Sequence, residues 1–202
     1  MKILIDNGHG INTPGKRSPD GELLEGIYNR EIAQRITTRL QQQGIDAELL
    51  VPEDEDISLH DRCLRANKQS IFHGETNVLI ISIHCNAASS DGKWHNARGW
   101  SVYTSKGQTE ADKLADCLAT AAYDNLPGEI VRADWSDGDI DIEESFFILS
   151  HTLSPAVLTE NLFMDTLQQK TFLLSEEGKS AIVQLHIDGI TEYLRQRSTG
   201  AH

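Results

Sequence analysis

Val78-Leu79-Ile80-Ile81-Ser82-Ile83 is apolar at every position except Ser82 and runs straight into His84. A strand of that composition is buried on both faces. Such strands belong to parallel sheets covered by helices on either side. Upstream, residues 2–6 form another short apolar run, which opens into a loop rich in Gly, Asn, Pro and Ser reaching to about Gly21.

Helical periodicity fills the space between these runs. Over residues 25–43, Ile27, Ile32, Ile36 and Leu40 recur at helical spacing and Gly44 supplies the stop. Residues 45–51 read as a strand. Ser58 can cap a helix to about Phe72, with Asp61 at the capping-box position. Downstream, residues 100–104 read as a strand and residues 109–125 as a helix with Ala111, Leu114, Ala115, Leu118 and Ala122 on one face. A long acidic loop covers residues 127–141. Residues 146–149 and 156–159 read as the last strands, and residues 175–197 as a closing helix with Ile182, Leu185, Ile190 and Leu194 as its stripe. Strands alternating with helices predict an α/β fold: one domain over residues 1–197, with a central, mostly parallel twisted sheet flanked by helices on both faces, and a tail over 198–202.

Bulk properties remove several function classes. The 202 residues suit one sizeable core. The net charge of -13, from 18 basic and 31 acidic residues, leaves no basic stripe for a phosphate backbone, so nucleic acid and anionic membrane surfaces are poor partners. No apolar run is long enough to span a bilayer. The opening MKILIDNGHG lacks the apolar region of a secretory signal, which predicts a protein that is cytoplasmic until released. Cys63, Cys85 and Cys117 fit neither a disulfide framework nor a CxxC site. They read as buried packing residues, although Cys85 directly follows His84 and invites comparison with a nucleophile.

In open α/β sheets, ligands gather at the carboxyl ends of the strands. His9 lies just past the first strand, His84 closes VLIISI, and Glu160 closes AVLT. The topology can bring these three to one rim. A catalytic zinc takes three His or carboxylate ligands and keeps a fourth position for water. Gly8 and Gly10 flank His9 and allow a tight backbone turn. For a third ligand, Glu22, Glu25 and Glu31 all lie near the loop-to-helix junction, where an acid also simply favours a helix start. The HExxH pattern of common zinc proteases is absent.

Five segments in order then resemble the zinc-dependent N-acetylmuramoyl-L-alanine amidases of the amidase-3 type. They are DNGHG; EGIYN at Glu25 to Asn29; LxxRxxxAN at Leu59 to Asn67; SIHCNA at Ser82 to Ala87; and VLTENLF at Val157 to Phe163. Together they cover nearly the whole chain. The resemblance implies one Zn2+ per chain held by His9, Glu25 and His84, with Glu160 as the catalytic glutamate. It implies cleavage of the amide between the lactyl group of N-acetylmuramic acid and the L-alanine of the stem peptide, in peptidoglycan or muropeptides. Glu25 is selected because Asn29 follows at the family's spacing. The chain departs from the pattern at Ile11, where many relatives carry a further glycine and an Asp-Pro-Gly stretch; at Gly26, where a basic residue is usual; and across residues 89–98.

Under that reading Glu160 takes a proton from water and returns it to the leaving amine. Arg132 has two readings: binding a substrate carboxylate or the oxyanion, or pairing with the acidic run Asp134, Asp137 and Asp139. Arg62 and Asn67 read as structural hydrogen-bonding residues. Trp94 and Trp135 are candidates for stacking on sugar, while Trp100 reads as core. The 127–141 loop is a candidate groove wall. Two rivals remain: another zinc amide hydrolase, peptidase or deacetylase, acting on cell-wall fragments, and a wall-binding module without turnover.

Overall fold

Strand β1 (Lys2–Asn7) and strand β3 (Val78–Asn86) run side by side in parallel at the centre of one six-stranded sheet. In this computed structural model, which describes residues 1–135 and 138–200, β2 (Asp46–Leu49) flanks β1 and β6 (Ala156–Phe163) flanks β3, both in parallel. Beyond β6 lie β4 (Ser101–Thr104), antiparallel to it, and the two-residue β5 (Ile142–Glu143) at the edge. The order is therefore β2-β1-β3-β6-β4-β5, parallel except at one pair.

Side-chain alternation along β1 and β3 divides the core between the two faces. Ile3, Ile5, Leu79, Ile81, Ile83 and Cys85 face one core. The helices α1 (Glu25–Gln42), α3 (Glu110–Asn125) and α6 (Glu176–Thr199) cover it. Leu4, Val78 and Ile80 face a smaller core under α2 (Leu59–His73) and the short α4 (Phe147–Ser150). Helices on both faces bury the central strand completely, as its composition requires. None of the described helices is long and apolar enough to cross a membrane.

Several elements differ from the sequence expectation. The segment 146–149 is not a strand: Phe146 precedes helix α4, which tucks Ile148 and Leu149 beneath the sheet. Both edges of β6 are already paired, with β3 and β4, so no place adjoining it was open to a further strand. Four apolar residues in a row carry no period, and burial alone does not separate helix from strand. Ile27 is exposed, and α1 packs instead through Tyr28, Ile32, Ala33, Ile36 and Leu40. The helix α5 (Leu167–Leu174) and strand β5 were not anticipated. The closing helix continues past residue 197 to Thr199, and residues 201–202 lie outside the described residues. Ser58 caps α2 as expected, accepting from the Asp61 amide at 3.1 Å.

Candidate metal centre

The loop after β1 carries His9 across the end of α1 towards β3. Its backbone lies in the left-handed region (φ 65), which side-chain-bearing residues adopt at a cost of about 1–3 kcal/mol. Contacts around it hold that conformation. Buried Arg62 donates from Nη1 to the Asn7 carbonyl at 2.7 Å and to Asp6 Oδ1 at 2.7 Å, and from Nη2 to the His9 carbonyl at 3.3 Å. Asp6 in turn accepts from Ser82 Oγ at 2.5 Å. Arg62 therefore has the structural role read from the sequence, and so does Asn67, which joins α2 to the His151 carbonyl and the Leu153 amide.

Glycine is required beside the imidazoles. A Cβ at Gly8 would lie 2.2 Å from His84 Cε1. One at Gly26 would lie 2.1 Å from the Gly10 carbonyl oxygen. The start of α1 thus packs directly on the His9 loop, and position 26 has no room for a side chain.

His9, Glu25 and His84 converge so that one ligand atom from each lies within 4.8 Å of the others. The two rings meet edge to face at 4.9 Å. His84 Nδ1 is 3.2 Å from Glu25 Oε1, and His9 Nε2 is 3.5 Å from Glu25 Oε2. Of the three candidate acids only Glu25 joins the cluster. Glu22 pairs with Lys170, and Glu31 pairs with Arg35 and Lys179. Glu25 is itself fixed from behind. Its Oε1 accepts from the Cys85 amide at 3.1 Å and from Asn29 Nδ2, one helical turn along, at 3.4 Å.

Electrostatics at the cluster follow from burial and mutual contact. Burial pulls His9 down to about 4, with His84 and Lys16 adding to that against the pull of Glu25, so the ring is neutral at pH 7 and presents a lone pair. Burial opposes ionisation of Glu25, but the hydrogen bond to His84, helped by His9 and Lys16, holds its carboxyl below the ordinary value. Burial likewise works against the His84 cation, and the Glu25 carboxylate outweighs it and raises His84. Glu25 Oε2 is buried with no hydrogen bond. Two imidazoles and a carboxylate with an unsatisfied oxygen are the donor set of a catalytic zinc site, and the residues fit that ion.

Glu160 stands beside the cluster. It pairs in register with His84 across β3 and β6, and its side chain lines the same cavity of about 380 Å³. Burial raises its carboxyl to about 7, with Glu25 adding to the rise and His84 and Lys16 opposing it. Its Oε2 has no hydrogen-bond partner. Both strands run on past these residues, to Asn86 and Phe163, so neither His84 nor Glu160 ends its strand. The register shifts between His84 and Asn86, and Leu162 adopts a left-handed conformation (φ 64) there. Ile57, Phe146, Phe147 and Leu158 also line the cavity.

The remaining candidates lie elsewhere. Arg132 is exposed, with its guanidinium 5.2 Å from the centre of the Phe163 ring, and it is not among the residues lining the cavity. Asp137 lies outside the described residues. Trp100 is fully buried and donates to Asn161 Oδ1 at 2.8 Å, as expected of a core residue. Trp135 and Trp94 are exposed. Cys85 faces the core, and burial raises its thiol well above the ordinary range, which removes the thiolate a nucleophile needs. Lys16, missed in the sequence, reaches to 4.0 Å from Glu25 Oε2. It sits in an irregular loop where no period marks it.

Comparison with known proteins agrees with this fold. The amidase-3 family model, described as N-acetylmuramoyl-L-alanine amidase, matches residues 3–192. A sporulation-specific N-acetylmuramoyl-L-alanine amidase of Bacillus subtilis is 25% identical over 204 residues, spanning 100% of this chain and 71% of that protein. An endolysin of Bacillus phage SPP1 is 25% identical over 206 residues, covering 98% of this chain and 69% of its own. Among solved structures, an N-acetylmuramoyl-L-alanine amidase from Clostridium difficile 630 superposes with a TM-score of 0.80 at 25% identity, over 97% of both chains. The amidase AmiC2 of Nostoc punctiforme shares the fold at a TM-score of 0.80 and 24% identity, over 96% of this chain and 97% of its own.

Proposed function

The chain belongs to the amidase-3 family of N-acetylmuramoyl-L-alanine amidases, and we propose that it cleaves peptidoglycan or muropeptides between the lactyl group and L-alanine, with one Zn2+ held by His9, Glu25 and His84. The observation that carries the zinc reading is the convergence of those three residues within 4.8 Å around a buried carboxylate oxygen that has no hydrogen bond. Bound there, zinc would polarise the scissile carbonyl and bring the pKa of a water down to about 7.

The chain's own groups supply the rest. Neutral His9 offers a lone pair, and the Arg62 clamp holds its backbone in place. Asn29 and the Cys85 amide hold Glu25 in one orientation. Glu160 accepts the proton from the attacking water, and desolvation gives its carboxyl an affinity suited to proton exchange near neutral pH. As the new C–O bond forms and the C–N bond breaks, Glu160 returns that proton to the amine of L-alanine. Ile57, Phe146 and Phe147 line the cavity beside the carboxylate and make that side of it apolar.

The test is digestion of purified peptidoglycan by zinc-loaded and chelator-treated protein, read by mass analysis and end-group labelling. Peptides with new L-alanine amino termini should appear only with the metal present. Reducing sugars or internal peptide cuts in their place would assign the centre to another reaction.

A further inference from the structure

A larger hollow, about 740 Å³, opens beside the metal cavity, between the 14–21 loop and the 87–93 loop. Lys16 lines both spaces, so the two meet at its side chain. The chain carries a net charge of -13, yet this groove presents three cations: Lys16, Arg17 and Lys93.

The acids of the groove make their bonds to groups other than its cations, Asp165 through one oxygen only, since its buried Oδ1 has no hydrogen bond. Asp20 binds Lys170 at 2.7 Å and accepts from Ser18 Oγ at 2.6 Å. Asp165 is buried, and its Oδ2 accepts from the Ala88 and Ser89 amides at 2.8 and 3.2 Å. Neither acid is spent on a groove cation. Every other salt bridge of the described residues likewise leaves Arg17 and Lys93 out, and no hydrogen bond of either side chain is present.

The walls are built rather than loose. Lys170 on α5 is almost fully buried and ties to Asp20 and Glu22 on one wall, while its ammonium lies 5.7 Å from the ring centre of Trp94 on the other. Asp165 and Thr166 pin the second wall through the His95 amide and the Ala97 carbonyl. Arg17 and Lys93, exposed and unpaired between tied walls, attract anions, and the protein's overall charge makes their local sign a matter of arrangement rather than of composition.

We propose that this groove is the subsite for the acidic part of the substrate, the stem peptide beyond L-alanine, with Arg17 and Lys93 binding its carboxylates. The inference rests on the amidase reading for the identity of the peptide. With the scissile amide at the zinc cavity, the peptide leaves past Lys16 into the groove. Guanidinium and ammonium groups then meet the carboxylates by charge-assisted hydrogen bonds. Lys16 also touches the Glu25 carboxylate, so the two outer cations are the ones to alter.

The experiment uses zinc-loaded protein and two probes, L-Ala-γ-D-Glu-L-Lys and the same tripeptide with its carboxylates amidated. Binding is followed by calorimetry at low and high salt, alongside turnover of a muropeptide carrying the acidic tripeptide. The wild type should bind the acidic probe about tenfold more tightly, an advantage that salt reduces. In the Arg17→Gln, Lys93→Gln double variant that advantage should vanish, and KM should rise about tenfold with a smaller change in kcat. Equal binding of the two probes by the wild type, or an undiminished preference in the double variant, overturns the assignment. Selective binding without cleavage of any muropeptide leaves the subsite standing and removes the amidase reading. Cleavage with indifferent binding does the reverse.

Discussion

His84 on β3 and Glu160 on β6 face each other in parallel register, the last regular pair before the ladder shifts. Adjacent strands lie about 4.8 Å apart, so side chains at one register position on one face of the sheet are close neighbours. The backbone ladder therefore fixes the relation between the proposed metal ligand and the proposed catalytic carboxylate, without help from a mobile loop. Glu160→Gln keeps the shape and hydrogen-bonding size of the side chain and removes only its basicity. Zinc content should stay at one per chain while kcat falls about 10²–10⁴-fold. Turnover near the wild-type rate would remove Glu160 from the proton path.

Of the three proposed ligands, Glu25 is the one whose replacement is most informative, because its Oε1 contacts suit an amide oxygen as well. In Glu25→Gln the side-chain oxygen still accepts from the Cys85 amide, so the fold should persist. The anionic ligand is gone. Zinc at about 100 times the wild-type Kd stabilises a single-site protein by about 2.7 kcal/mol. That gain should appear for the wild type in thermal unfolding and disappear for the variant. An equal zinc-induced rise in both would place the metal elsewhere.

Gly8→Ala tests the packing that lets His84 reach the cluster. The added methyl would sit 2.2 Å from His84 Cε1 and 2.3 Å from Nε2. The imidazole must turn away, since the Gly8 backbone is tied by its amide to the Ile83 carbonyl at 3.0 Å. Disturbing the orientation of a ligand costs about 10–100-fold in metal affinity. Competition with a fluorescent chelator reads this directly, and unchanged affinity would mean that the ring is not held where it lies.

A difference in pH dependence between the metal-free wild type and Glu160→Gln isolates Glu160. Its carboxyl is raised by burial to about 7 from an ordinary 4.5. A raised acid binds its proton more tightly in the folded state. The Glu160 contribution to wild-type stability therefore falls as pH rises from about 4.5 to about 7 and levels off above that, by up to about 3 kcal/mol at roughly 1.4 kcal/mol per unit, while buried His9 and His186, each lowered to about 4, act in the opposite sense and equally in both proteins. Glu160→Gln lacks this loss. Without metal, the variant should gain on the wild type across that window and remain the more stable protein at pH 8. Denaturant titrations in chelator at pH 5 and pH 8 measure it, and a constant difference between the two proteins would refute the buried acid.

The sequence revealed the fold where its periods were long. VLIISI and the stripes of α3 and α6 are long enough that only one structure buries them. It failed where segments were short. Phe146 to Leu149 has no period, α5 is eight residues, and β5 is two. The strand ends were misplaced for a related reason: the polar residues His84, Asn86, Glu160 and Asn161 interrupt the apolar runs although the strands continue through them, and the bulge that re-aims the chain involves Leu162, whose left-handed conformation leaves no sign in composition. At the site, position along the chain brought out His9, His84 and Glu160. Glu25 could be told from Glu22 and Glu31 only by family spacing, and the structure supplies the physical counterpart, an Asn29 one turn along that hydrogen-bonds it. The Lys16 contact was invisible because it joins an irregular loop to a helix start.

Arg62 ties the scaffold to the metal loop, and its replacement should separate those two roles. The Arg62–Asp6 pair is buried at both ends, at 2.7 Å. Arg62→Leu leaves the Asp6 carboxylate buried without its cation, which costs about 3–5 kcal/mol. For a domain of this size that is a fall in Tm of about 6–20 °C, at about 2–4 °C per kcal/mol. Adding Asp6→Asn removes the stranded charge and should recover much of the stability, since an amide can still accept from Ser82. It cannot restore the donors to the Asn7 and His9 carbonyls, so zinc affinity should stay depressed in the double variant. If stability and zinc affinity recover together, the clamp on the His9 loop plays no part in metal binding, and the turn at His9 is held by its other contacts, such as the Asn29 Nδ2 donation to the Gly8 carbonyl at 3.1 Å.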